Sequence, residues 1–264
     1  MISVTLIEKG ENKVSFGLKG INAVFANTIR RNILEGVPTM AIEDVEFRKN
    51  SSILYDEIIA HRLGLIALKT DLISYNLPRT CTCNAKGCAK CQLKMTLSAK
   101  GPCTVYASDI KSKDPKVNPI YPETPIVKLL KGQQLEFEAT AMLGEGKDHA
   151  KWIPGCIHYR YYPVIEINDK KLNNADKCAK ACPVDVFEVK GNKLTVKNLL
   201  NCTLCGACAE VASDSAIKLN ESEDNVIFFV ESFGQLECKD ILLRATDVFD
   251  DLLNDFSKEM KKLK

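Results

Sequence analysis

Three cysteines recur at two-residue gaps in Asn201-Cys-Thr-Leu-Cys-Gly-Ala-Cys-Ala, giving Cys202, Cys205 and Cys208. A separate Cys182-Pro183 lies twenty residues before the first of them. Thiolates at this spacing can hold three corners of a cubane iron–sulfur cluster, and a remote Cys-Pro can close the fourth. A tight turn must wrap three corners while a second segment meets the last, so two separated stretches are needed. A lone Cys-x2-Cys would carry little weight, whereas the triple run with a remote Cys-Pro is specific. Without metal, the same residues read as free buried thiols or disulfides.

The segment resembles a bacterial-type ferredoxin that has kept one of two clusters. The other cluster would need thiols at 172, 175, 178 and 212, where the chain has Leu172, Ala175, Cys178 and Ala212. Only Cys178 survives. An electron relay without its second stop, inside a chain of 264 residues, points to a structural or regulatory cluster. The expected cofactor is one 4Fe–4S cluster, or 3Fe–4S if Cys182 does not ligate.

A second group is Cys81-x-Cys83-x4-Cys88-x2-Cys91, in a loop with Asn84, Gly87 and Lys90. Four thiolates at such spacing could hold zinc tetrahedrally. Two disulfides are the alternative, since cytosolic proteins of hyperthermophiles carry them. Cys103, Cys156 and Cys238 have no partner pattern and are expected to be ordinary buried thiols.

Hydrophobic residues make up 45% and charged residues 27%, the balance of a soluble globular protein long enough for two or three modules. Thirty-six basic against 34 acidic residues leave +2. With no concentrated basic run, direct nucleic-acid binding is not expected. No apolar stretch approaches the roughly 20 residues of a membrane span, and the first thirty residues lack a signal-peptide pattern. Together with ligand-like cysteine spacing, this predicts the cytoplasm and no membrane. A phosphate-binding loop fails at Gly146-Lys147, because Ala141 stands where the first glycine should be and Asp148 where Ser or Thr is needed. His61, His149 and His158 are far apart in sequence and are expected to be structural or interface residues.

The elements that must position these cysteines read as an α+β chain. Strands are predicted over 2–7 and 13–18. A helix then runs from an Asn22 N-cap to Gly36, with Ile21, Phe25, Ile29 and Ile33 on one stripe and Arg30 and Arg31 on a solvated face. Residues 40–48 read as a strand entered through an irregularity, 54–63 as a helix, and 64–68 as a buried extended stretch. Strands follow at 92–98, 134–142, 157–167 and 225–230, with a short hairpin at 187–196. Pro115, Pro119, Pro122 and Pro125 mark a connector that cannot be helical. From about Cys238 a long helix carries Leu242, Ala245, Phe249, Leu252, Phe256, Met260 and Leu263 in a heptad-like seam. By itself that seam fits either packing on its own domain or a partner helix.

Several blocks resemble one known family. Ala26-Asn-Thr-Ile-Arg-Arg-Asn-Ile-Leu-Glu-Gly-Val-Pro-Thr-Met-Ala-Ile-Glu-Asp-Val is similar to the signature of the alpha-like subunits of DNA-dependent RNA polymerase. Asp56-Glu-Ile-Ile-Ala-His-Arg-Leu-Gly-Leu-Ile-Ala-Leu resembles the second block of its archaeal and eukaryotic branch. Gly144-Glu-Gly-Lys-Asp-His-Ala-Lys-Trp-Ile-Pro and Asn225 to Leu253 match further segments, so the resemblance covers most of the chain. It is nearest to the archaeal alpha-like subunits of the third-subunit type, some of which carry an inserted ferredoxin-like domain. The resemblance implies a dimerisation domain of residues 1–40 and 222–264, an inserted mostly-β second domain at 41–165, and a ferredoxin-like iron–sulfur domain at 166–221. It implies a heterodimer with subunit L, contacts to the second-largest polymerase subunit and to small subunits N and P, and no catalytic residue in this chain. Eukaryotic relatives carry a zinc-bound loop where Cys81 to Cys91 stand, and His149 and Trp152 fall in a matched block as interface contacts. A stand-alone ferredoxin-type electron carrier is the competing function, disfavoured because flavin and nicotinamide motifs are absent.

Overall fold

The computed structural model describes residues 2–191 and 193–263. In chain order the elements are β1 (Ser3–Lys9), β2 (Lys13–Lys19), α1 (Ala23–Gly36), β3 (Thr39–Asn50), α2 (Asp56–Gly64), β4 (Leu93–Lys100), β5 (Cys103–Tyr106) and β6 (Lys111–Ser112). Then come β7 (Pro125–Leu129), β8 (Gln134–Gly144), β9 (Gly155–Ile167), α3 (Ala175–Ala181), β10 (Phe187–Lys190), β11 (Lys193–Val196), α4 (Ala207–Val211), β12 (Ile217–Ser232) and α5 (Cys238–Lys261). The fold is α+β, as the patterning predicts. It divides into two compact units, one taking in the chain up to Glu8, Ser15–Ala26 and His158–Phe229, the other Lys9–Val14, Asn27–Ile157 and Val230 onward.

In the first unit, β1, β2, β12 and β9 form a sheet in that order. Phe16 stacks on Phe228 at 5.6 Å, and Tyr159 lies against the same ring at 5.4 Å. Strand β12 starts eight residues before the 225–230 run predicted from its apolar residues. The extension carries Asn220, Glu221, Ser222, Glu223 and Asp224, which supply no apolar signal, so backbone pairing rather than side-chain pattern sets its length. The same unit holds the cysteine module, with α3, α4 and the β10–β11 hairpin around a core of Leu172, Val186, Phe187, Leu194 and Ile217.

In the second unit, β3, β8, β4 and β6 form an antiparallel sheet. Its register places Phe137 between Phe47 and Leu97. A bulge between Ile42 and Asp44 is the irregularity expected at the start of β3. Met40, Ile42, Met95 and Phe137 from this sheet pack with Ile59 and Leu63 of α2. The predicted extended stretch at 64–68 is not a strand. The amides of Leu65 and Ile66 still bond to carbonyls of 61–63, continuing the helix's last turn, and only Leu68 makes a single bridge, to Pro119.

Asn22 caps α1, its Oδ1 accepting from the Phe25 amide at 2.9 Å. Arg31 pairs with Glu35 at 3.0 Å on the exposed face. At Gly36 an added Cβ would stand 2.8 Å from Val248, so the end of α1 lies directly on α5. Helix α5 buries Ile241 and Ala245, but from Asp250 onward each of its residues is exposed. Its seam is therefore covered only in its first half. Leu252, Leu253, Phe256 and Met260 stand 50–65% exposed.

Candidate metal centres

The Cys81–Cys91 loop is closed at its base by the Asn76 amide on the Lys90 carbonyl at 2.8 Å. The chain doubles back through Asn84 and Ala85 at φ 51° and 60°, then Gly87 at φ 85°. A Cβ at Gly87 would also meet the Gln92 side chain at 2.4 Å, so glycine is required there for both conformation and space. The turn delivers four sulfurs, all within 4.8 Å of one another. Cys81 and Cys88 are 3.6 Å apart, Cys83 and Cys91 3.6 Å, and Cys88 and Cys91 3.8 Å. Sulfurs at zinc's ~2.3 Å bond length on a tetrahedron have edges of about 3.8 Å. The group could therefore hold a metal ion. Burial pushes the Cys91 thiol up to about 12. Burial acts the same way on Cys83, but hydrogen bonds from Cys81, Cys91, Cys88 and the Gly87 amide outweigh it and pull that thiol down to about 7. One member of the set thus ionises readily, and metal ligation needs thiolates.

Two residues that motif spacing does not reveal hold this loop. Arg79, just before Cys81, donates to Glu145 Oε1 at 2.5 Å, and Lys147 sits 2.8 Å from Oε2. The Glu145 side chain is only 6% exposed. Its partner lies 66 positions away, so no local spacing advertises the pair. Trp152 packs beneath Gly144, where a Cβ would stand 2.3 Å from the indole.

The second set lies in the first unit. Cys182, Cys202, Cys205 and Cys208 line one small cavity with Val184, Val186, Phe187 and Leu219. Cys182 ends α3 and accepts from the Val186 amide at 3.4 Å. Leu204 and Gly206 at φ 57° and 85° bend the run so that Cys205 and Cys208 face the same space. Burial raises the Cys208 thiol to about 11, and charge on Cys182, Cys202 and Cys205 adds to the rise. Cys178 is fully buried in the module core, its sulfur 3.6 Å from Asn174 Oδ1, and does not line the cavity.

The remaining cysteines correct an expectation. Cys103 and Cys156 are exposed and Cys238 is half-buried, near the Asn12 carbonyl at 3.3 Å. Lack of a partner pattern says nothing about which strand face a thiol takes. None of the twelve cysteines is in a disulfide. The histidines stay apart in role: His149 Nδ1 accepts from the Lys151 amide at 3.0 Å, and His158 stacks on Phe229 at 4.8 Å.

Comparison with known proteins fixes the family. The RNA polymerase Rpb3/RpoA insert domain matches residues 42–157. The DNA-directed RNA polymerase subunit Rpo3 of Methanosphaera stadtmanae is 38% identical over 98% of this chain and 100% of its own length. The chain belongs to the Rpo3 family. Rpo3 of Archaeoglobus fulgidus is 37% identical over 100% of this chain and 98% of the relative, and that of Pyrococcus horikoshii 38% over 100% and 99%. As an Rpo3-family member, the chain is a subunit of DNA-directed RNA polymerase and works within that complex. Among the Rpo3-like blocks of the sequence, 26–45 covers α1 and the start of β3, 56–68 covers α2, and 144–154 leads from β8 towards β9. The matched insert region takes in the β3–β8–β4–β6 sheet from Ile42 onward and the Cys81–Cys91 loop. Among the described residues, no helix is long and apolar enough to cross a membrane.

Proposed function

We propose that the chain is a non-catalytic assembly platform of RNA polymerase. It pairs with subunit L through residues 1–40 and 222–264. Residues 41–165 dock the second-largest polymerase subunit and the small subunits N and P, and 166–221 carry an iron–sulfur cluster. The observation that carries this reading is the bare apolar stripe of Leu252, Leu253, Phe256 and Met260 on α5. A heptad-like seam whose second half meets only water is a surface made for another helix.

Cys182, Cys202, Cys205 and Cys208 would hold the cluster, because four thiols around a cavity otherwise walled by Val184, Val186, Phe187 and Leu219 suit that group. When bound, it supplies a cross-link between two chain segments. Cys81, Cys83, Cys88 and Cys91 would hold zinc, since their sulfur separations match the edges of a zinc tetrahedron. At both sites the thiols must give up protons, so uptake and local folding form one equilibrium.

The test is the double variant Leu252→Asp with Phe256→Asp, co-expressed with subunit L. Burying two unpaired charges should lower the yield of the pair at least about tenfold. An undiminished pair would show that the stripe is not the interface. Co-purification of the native chain with a small reductase, and not with polymerase, would favour the electron carrier.

A further inference from the structure

Arg160 leaves β9 and reaches the turn that leads into the triple cysteine run. Its Nη2 donates to the Leu200 carbonyl and its Nη1 to the Cys202 carbonyl at 3.3 Å. Those carbonyls close a single 3-10 turn at Leu199–Asn201, whose end has no following helical residues to receive them. The guanidinium lies over the Phe229 ring, 5.1 Å from its centroid, and Phe229 is itself stacked on His158. Its Nε is buried without a partner. A side chain that accepts an unpaired buried donor while gripping two carbonyls forty residues away is placed for the grip. Surface solvation does not explain it.

We propose that Arg160 is the positioning residue of the cluster loop. Its planar fork fixes where Cys202 enters the cavity, keying the loop to the β9–β12 strands, and its charge beside the Cys202 peptide favours the more negative, reduced form of the bound group. The inference rests on the reading that Cys182, Cys202, Cys205 and Cys208 bind a cluster. Only a forked cation can serve both carbonyls. A lysine supplies the charge from a single point and cannot span them.

The full-length chain paired with subunit L, reconstituted anaerobically with iron and sulfide, tests this with Arg160→Met and Arg160→Lys. Iron content, decay of visible absorbance in air and the reduction potential are read on each. Arg160→Met should lose the chromophore roughly tenfold faster than the wild type, the scale of one charge-assisted hydrogen bond, and its potential should fall. Arg160→Lys should also lose it faster but keep the wild-type potential, separating charge from grip. A purely structural role would move neither potential. Wild-type decay and potential in Arg160→Met would overturn the inference while leaving the cluster reading intact. A wild-type protein that takes up no iron sinks the cluster reading itself and this inference with it. Circular dichroism accompanies each variant, and loss of sheet signal in both would show a folding role and overturn the proposal.

Discussion

Asp71 shows how single residues fix the chain just ahead of the Cys81–Cys91 loop. Its carboxylate accepts from Ser74 Oγ at 2.8 Å and from the amides of Ile73 and Ser74, and it meets Lys116 at 3.1 Å. The Ser74 hydroxyl, against the opposing effect of burial, and then the two amides and Lys116 hold the carboxyl well below the usual carboxylate range. A depressed folded value contributes stability that is fully present above the unfolded pKa of about 3.9 and is lost as pH falls below it. Asp71→Asn should therefore lower the melting temperature at pH 7, by the equivalent of about 2 kcal/mol. The gap to the wild type should begin to narrow below about pH 4 and keep narrowing as pH falls through the depressed folded value. Thermal melts of both proteins in the same chelating buffer check this, and a gap that stays constant would place the effect elsewhere. Contacts of this kind are legible in sequence only when they are local. Asp71 with Ser74 is a three-residue turn, whereas Lys116, Glu145 and Arg160 act on residues far along the chain.

At the scale of elements, spacing carried most of the information. The Asn22 cap, the α2 stripe, β4, β8 and the β10–β11 hairpin follow from capping and periodicity, which act within a few residues. The polar half of β12 and the end of α2 were hidden, because sheet pairing and helix-end bonds set them. Both sets of four thiols were readable as sets, and Asn84 and Gly87 stood out in the loop, but the left-handed turns at Ala85 and Leu204 that help aim them did not. The module that carries Cys182, Cys202, Cys205 and Cys208 illustrates the energetic side. Its core mixes Cys178, Cys202 and Cys208 with Leu172, Val186, Leu194 and Ile217, and segments this short often draw stability from cross-links. Cys205→Ser should expose residues 167–220 to limited proteolysis while the pair with subunit L still forms, since α5 shares no residue with the module. Cys178→Ser should keep the cluster, as its sulfur lies off the cavity. Mass mapping of the nicks and iron analysis decide both. Nicks spread evenly along the chain would mean the metal supports the whole fold.

For the whole molecule, what matters is that a sheet joins distant parts of the chain. Strands β1 and β2 belong to the first twenty residues, yet their sheet neighbours are β9 at Gly155–Ile167 and β12 at Ile217–Ser232. The β3–β8–β4–β6 sheet, in contrast, is contiguous in sequence. On a ribosome adding about 5–20 residues per second, β2 must wait roughly 10–40 s for β12 to be made. During that time its Phe16 and Leu18, buried in the finished protein, have no sheet to enter. A nascent chain stalled at residue 157 should accordingly show exchange-protected amides in β3, β8 and β4 and none in β1 and β2. Protection of β2 in that chain would mean it finds another partner first. Strand β2 is thus left sticky while the residues up to β12 are made, the interval in which a holdase would have its longest opportunity on it.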